Sequence, residues 1–117
     1  MNQRKIGTFY EREAVKYLQD QGVRILEMNY QSRQGEIDII GYDNTCLVFF
    51  EVKARNSTRF GFAAEAVGSV KQKKICRTAD YYRMRHHISG FEEIRYDCIV
   101  IEQGNITWIK NAFEHRY

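Results

Sequence analysis

From Lys5 to about Gln21, apolar side chains recur at three- and four-residue spacing. Ile6, Phe9, Tyr10, Ala14, Tyr17 and Leu18 share one side, and Gly22 follows as a stop. The spacing predicts an amphipathic helix. Period-two alternation then takes over. "VRILEMNYQ" (23–31) reads as a strand, Arg33 to Gly35 as a turn, and "EIDIIGY" (36–42) and "CLVFFEVKA" (46–54) as two more strands joined at Asp43-Asn44. The connection "RNSTRFGFAAEAVGS" (55–69) is long, and its Arg59-Phe60-Gly61 stretch reads equally as a flap over substrate or as plain connection. It ends at Ser69, a predicted N-cap. On the helix that follows, Gln72, Ile75, Ala79, Tyr82 and His86 share one side, and Lys73, Lys74, Arg77 and Arg85 the other. "IRYDCIVIE" (94–102) and "NITWIK" (105–110) form a last pair of strands around Gln103-Gly104, with "NAF" closing the chain. The order α-β-β-β-α-β-β predicts one α/β domain over 1–117, a mixed central β-sheet flanked by helices.

A chain of 117 residues with 44% apolar and 28% charged side chains can bury about two-thirds of its unfolded surface, which excludes a disordered segment. Cys46, Cys76 and Cys98 are odd in number and form no C-x-x-C pair, so reduced thiols are expected rather than disulfides or a zinc site. The N-terminal stretch has no signal-like apolar region, and no run approaches the ~18 apolar residues of a membrane span. A soluble, cytoplasmic protein without a membrane partner is the expectation.

Charge changes the picture more than composition does. The net charge is +3, but residues 1–52 carry −2, residues 53–87 carry +7 and residues 88–117 carry −2. A basic block of this kind meets polyanions or serves as a solvated helix face.

The candidate chemistry lies in "GEIDIIGYDNTCLVFFEVKAR" (35–55). If the two strands pair around Asp43-Asn44 so that 42 faces 45, 38 faces 49 and 36 faces 51, then Glu36, Asp38, Glu51 and Lys53 share one face. Asp38 and Glu51 are then diagonal neighbours able to converge on one point. Opposed carboxylates need something positive between them, and Lys53 or a divalent cation would supply it. Mg²⁺ suits a site with one or two carboxylates. Ordinary cross-strand ion pairs on a two-faced sheet are the plainer alternative.

The set resembles the PD-(D/E)xK nuclease superfamily, with an Asp on one strand and (D/E)-x-K on the next. More closely, "GTFYEREAVKYL", "GEIDII", "LVFFEVKAR", "AVGSVKQKKI", "RYDCIV" and "WIKNAF" together resemble the YraN family, restriction-endonuclease-like proteins that are similar to archaeal Holliday-junction resolvases. The resemblance implies a restriction-endonuclease-like core, Asp38 and Glu51 as ligands of Mg²⁺ or Mn²⁺, and Lys53 as the catalytic lysine. It adds Glu11 from the first-helix motif, where helical periodicity slightly favours Glu13. It implies a metal-dependent endonuclease acting on DNA, with branched or repair-intermediate DNA as a candidate substrate, and leaves open both a homodimer and a non-catalytic nucleic-acid-binding or adaptor protein on the same fold. Lys71, Lys73, Lys74 and Arg77 are candidates to track a phosphate backbone, with Arg33, Arg55 and Arg59 on adjoining segments. Lys71 and Asp97 match family positions, and no physical role follows for Asp97. Glu36 shares the acidic face without an assigned role. The histidines, Trp108 and the tyrosines read as structural.

Overall fold

The computed structural model describes residues 3–55, 67–90 and 92–116, with side chains from Thr8 onward. The elements are α1 (Gln3–Asp20), β1 (Arg24–Ser32), β2 (Gly35–Asp43), β3 (Cys46–Arg55), α2 (Ser69–Arg85), β4 (Ile94–Glu102) and β5 (Asn105–Phe113). The fold is α/β, in the order expected. The five strands lie in sequence order in one sheet. β3 and β4 are parallel, and the other neighbouring pairs are antiparallel. A parallel pair needs a crossover of a dozen or more residues, and the segment containing α2 provides it.

The two helices cover opposite faces. Ala14 and Leu18 of α1 pack with Ile39, Val48, Phe50 and Ile99. Ile75, Cys76, Ala79 and Tyr82 of α2 pack with Ile40, Leu47, Phe49, Cys98 and Val100. β3 is therefore buried on both faces from Cys46 to Glu51, which is why its sequence is an apolar run rather than an alternation. Glu51 ends that run, so a rigid, two-sided core fixes where its carboxylate stands.

Local details depart from the sequence reading. Phe9 is 58% exposed, while Tyr10 and Tyr17 rest only partly against the core, so the buried stripe of α1 is narrower than its apolar spacing. Ser69 is the first helical residue, and Gly68 caps α2 without a side-chain hydrogen bond. "NAF" continues β5, so that Phe113 pairs with Tyr96 across a bulge. His86 ends α2 on the surface, its ring 4.1 Å from that of Tyr82. The Arg59-Phe60-Gly61 stretch lies outside the described residues.

Asp97, which had no role in the sequence reading, is fully buried on β4 at that bulge. Its carboxylate accepts from Arg95 Nε and Nη2, Trp108 Nε1 and the Asn111 backbone N–H, each at 2.8 Å. Arg95 also reaches Asp43 at 2.8 Å, and Lys110 approaches the same Asp43 oxygen at 3.5 Å. One buried carboxylate thus ties the ends of β2, β4 and β5 together. Its removal would leave the largely buried Arg95 guanidinium with Asp43 as its remaining carboxylate and would unpair the Trp108 and Asn111 donors. Asp97→Ala is expected to lower the unfolding free energy by about 3–5 kcal/mol in urea titration. A loss under about 1 kcal/mol, the scale of an exposed ion pair, would show the network to be incidental.

Candidate active site at the opening between β2 and β3

The β2–β3 ladder runs from Asp43↔Cys46 to Ile39↔Phe50 and stops there. One step further, Asp38 and Glu51 come opposite one another. At that point the Asp38 carboxylate, not a backbone carbonyl, accepts the Val52 N–H at 2.8 Å. The side chain therefore stands in the gap between the strands. The backbone explains how it gets there. In a regular strand Ile37 and Ile39 would share a face, yet Ile37 lies in the α2-side core and Ile39 in the α1-side core. The β1 position between the pairs Met28↔Ile39 and Tyr30↔Ile37 is Asn29, at φ 53. Asn tolerates this left-handed conformation better than other non-glycine residues. The alternation slips at Asp38, and the slip turns its carboxylate into the opening.

This register corrects the expected one by two residues. The hairpin closes on Asn44-Thr45 rather than Asp43-Asn44, because Asn44 takes the left-handed φ of 56 and Asp43 is held in the ladder by Arg95. Asp38 and Glu51 are directly opposed instead of diagonal. The expected common face does not hold at Asp38, where the alternation slips: its carboxylate points into the gap between the strands and meets Glu51 there.

The electrostatics follow from burial. Glu51 is only 5% exposed. Burial, then the charge of Glu51, pushes the Asp38 carboxyl up to about 7, against the pull of the Val52 N–H and Lys71. Burial likewise raises Glu51, with Lys71 and then Lys53 working against it. The Lys71 ammonium, from the first turn of α2, is in direct ion contact with Glu51 Oε1. Burial disfavours that ammonium, but the hydrogen bond and charge of Glu51, followed by Asp38 and Glu36, hold its pKa above the ordinary lysine value.

Glu11 approaches from α1. Burial first, then the charge of Asp38, raises its pKa, and a side-chain hydrogen bond with Asn29 acts in the other direction. Its Oε2 is buried and finds no hydrogen-bond partner among the described residues. Glu13 is exposed and lines a separate groove with Phe9, Tyr10 and Ile106. Helices from both faces of the sheet therefore deliver charged groups to one opening, Glu11 from α1 and Lys71 from α2. Among the described residues, no three Asp, Glu, His or Cys side chains converge closely enough to hold a metal ion by themselves.

The remaining candidates separate. Lys53 is half-buried and near enough for its charge to act on Glu51. Glu36 is exposed, with Gln31 Nε2 3.5 Å away. Arg55 is drawn to Glu102 at 3.6 Å across β3–β4, and Lys71 to Glu51, so neither extends freely from the surface. Arg33, Lys73, Lys74 and Arg77 are exposed. The turn carrying Arg33 lies against α2: a Cβ on Gly35 would stand 3.3 Å from Thr78 Oγ1 and 3.4 Å from Lys74 Cβ, and Gly35 itself has φ 151. Arg59 lies outside the described residues. Sequence reasoning missed Asn29, although a strand-disfavoured, left-handed-tolerant residue in mid-strand was a usable signal.

Comparison with known proteins adds a family. The model of the family described as "Uncharacterised protein family UPF0102" matches residues 10–101. The chain is 45% identical over 107 residues to a UPF0102 protein of Persephonella marina, covering 92% of this chain and 91% of that one. It is 42% identical over 114 residues to a UPF0102 protein of Lachnoclostridium phytofermentans, covering 97% of each. A Fusobacterium nucleatum UPF0102 protein is 41% identical over 111 residues, 95% of this chain and 92% of its own.

The raised Asp38 pKa has a consequence for stability. The group's ordinary value is 3.8 and its folded value about 7, so the folded protein holds a proton that the unfolded chain releases. Stability therefore declines as pH rises through that window and levels off above it. Urea denaturation across the window should show wild type losing a few kcal/mol relative to Asp38→Asn, which cannot ionise. A difference between the two that stays constant with pH would contradict the assignment.

Proposed function

Because the chain belongs to the uncharacterised protein family UPF0102, the YraN family of the sequence resemblance, its activity must be argued from the site, and we propose that it is a metal-dependent endonuclease hydrolysing DNA phosphodiester bonds. The observation that carries this reading is the directly opposed pair of half-buried Asp38 and buried Glu51 at the end of an interrupted ladder. Two carboxylates with raised pKa values in one opening are a frustrated arrangement, and such groups cluster at functional sites.

The donor set fits Mg²⁺ or Mn²⁺. It is all oxygen, it supplies two carboxylates, and Glu11, whose buried Oε2 has no hydrogen-bond partner among the described residues, stands near enough to Asp38 for their charges to interact. Mg²⁺ takes one or two carboxylates and keeps its other positions for waters and substrate phosphates, so a three-acid cage is unnecessary. Asp38 and Glu51 would hold the ion, which when bound would supply positive charge to a phosphodiester and make nearby water more acidic.

The chain's own groups do the rest. Val52 N–H fixes the Asp38 carboxylate, leaving its other oxygen to the site. Glu11 Oε2 can accept a proton or hydrogen bond from water in the opening. Lys53 and Lys71 bring ammonium groups to where negative charge grows on the phosphate. The exposed Arg33, Lys73, Lys74 and Arg77 offer a sequence-independent track for the strand.

Purified protein with Mg²⁺ or Mn²⁺ should cut at least one of a panel of single-stranded, flapped and four-way-junction DNAs. Asp38→Ala and Glu51→Ala should each lower the rate by on the order of 10²-fold or more, while Gln19→Ala on the exposed side of α1 leaves it unchanged. Equal rates in all four proteins would sink the proposal.

One observation favours a second reading, a non-catalytic DNA-binding or adaptor protein. Lys71 already balances Glu51 from within the chain. On that reading Lys73→Glu with Lys74→Glu weakens DNA binding in a salt-dependent way, Asp38→Ala does not, and calorimetry detects no divalent-metal binding.

A further inference from the structure

The ion contact between Lys71 and Glu51 is unequal. The Glu51 side chain is 6% exposed and held by β3, whereas the Lys71 side chain is 51% exposed on the first turn of α2. A buried carboxylate without a positive partner is expensive, so Glu51 depends on Lys71 far more than Lys71 depends on Glu51. Lysine is suited to a temporary post: its ammonium is a compact point charge on a flexible four-carbon stem. It also has somewhere to go. Lys71 lines a groove of about 530 Å³ with Gly35, Glu36, Lys74 and Ile75, so the residue that touches Glu51 also borders open space.

We propose that Lys71 is the resident counter-ion of the Asp38–Glu51 pair, and that a divalent cation replaces it on Glu51 and releases the ammonium into this groove. The inference rests on the metal-binding reading above and adds a residue that controls it. An ammonium in contact with Glu51 Oε1 and a divalent cation on the same carboxylate repel strongly at low dielectric, so the two hold Glu51 by turns. In the groove the freed Lys71 has Glu36 beside it and Lys74 one helical turn away. Two ammonium groups on one wall make that wall a receiver for a backbone phosphate, so the exchange couples metal arrival to a stronger grip on the strand. Before exchange the protein keeps its buried acids neutralised internally.

Lys71→Met keeps the stem and removes the charge. Calorimetric titration with Mg²⁺ and with Ca²⁺ should show Lys71→Met binding at least about tenfold more tightly than wild type, the effect of deleting a contact competitor. Lys53→Met removes a charge that acts on the same acid without displacing anything, and should change affinity by no more than about threefold. In thermal melts Lys71→Met should be less stable than wild type without metal and gain more from added metal, because the ion then replaces a missing partner. Wild type supplies a variant-free readout: the side-chain ¹⁵N signal of the Lys71 ammonium should shift away from its ion-paired position as Mg²⁺ is added. Equal metal affinity in wild type and Lys71→Met, or equal gains in the two lysine variants, would overturn the exchange while leaving metal binding intact. Absence of metal binding in all three proteins would overturn the metal reading and the exchange together.

Discussion

Asp38 and Glu51 carry like charge on adjacent strands at a point where the sheet gives up its own backbone pairing to make room for them. The ladder stops at Ile39↔Phe50, and the next donor, Val52 N–H, is taken by the Asp38 carboxylate. Everything else at the site answers this apposition. Asn29 adopts a left-handed φ opposite Asp38, α1 brings Glu11, and α2 brings the ammonium that Glu51 needs. Burial makes each of these partners matter, because the same carboxylates in water would cost nothing to leave apart.

A fully buried aspartate elsewhere in the sheet shows the contrast. Asp97 is surrounded by donors from Arg95, Trp108 and Asn111 and fastens β4 to β5. Asp38 has one backbone donor, an acidic neighbour and a raised pKa. Satisfied, a buried carboxylate is a rivet; left short of positive charge, it is the feature on which the proposed cation site rests. The two lie on strands that flank β3, Asp38 on β2 at the step after Ile39↔Phe50 and Asp97 on β4 opposite Phe50, so the anchor of the sheet and the proposed site are one strand apart on either side of β3.

Much of this was legible in the sequence. Helical and strand periodicities placed every element within a few residues, because the two-sided burial of β3 and the amphipathic helices leave strong patterns at "CLVFFE" and on α2. Glu51 and Lys53 could be grouped by parity alone, but Asp38 joins them through the slip in alternation at Ile37–Ile39, which the sequence pattern did not reveal. Glu11 came from the family motif, and the structure places it rather than Glu13 toward the acids. The register itself was not legible. "YDNTC" offers two overlapping turns, and the choice between them is made by Arg95, fifty-two residues downstream of Asp43. The Lys71–Glu51 and Arg95–Asp43 contacts were hidden because each joins residues whose proximity depends on the parallel β3–β4 crossover, which no local pattern encodes; the rest of the Asp97 network follows from the bulge in the β4–β5 hairpin. Phe9 misled because an apolar side chain at helical spacing need not be covered.

If the opening between β2 and β3 is a divalent-cation site built on Asp38 and Glu51, anomalous scattering from a crystal soaked in Mn²⁺ near neutral pH will reveal it. A single anomalous peak bridging the Asp38 and Glu51 carboxylates is expected, with Lys71 withdrawn from Glu51. A fully soaked crystal with no peak there, and Lys71 still in contact with Glu51, would contradict it.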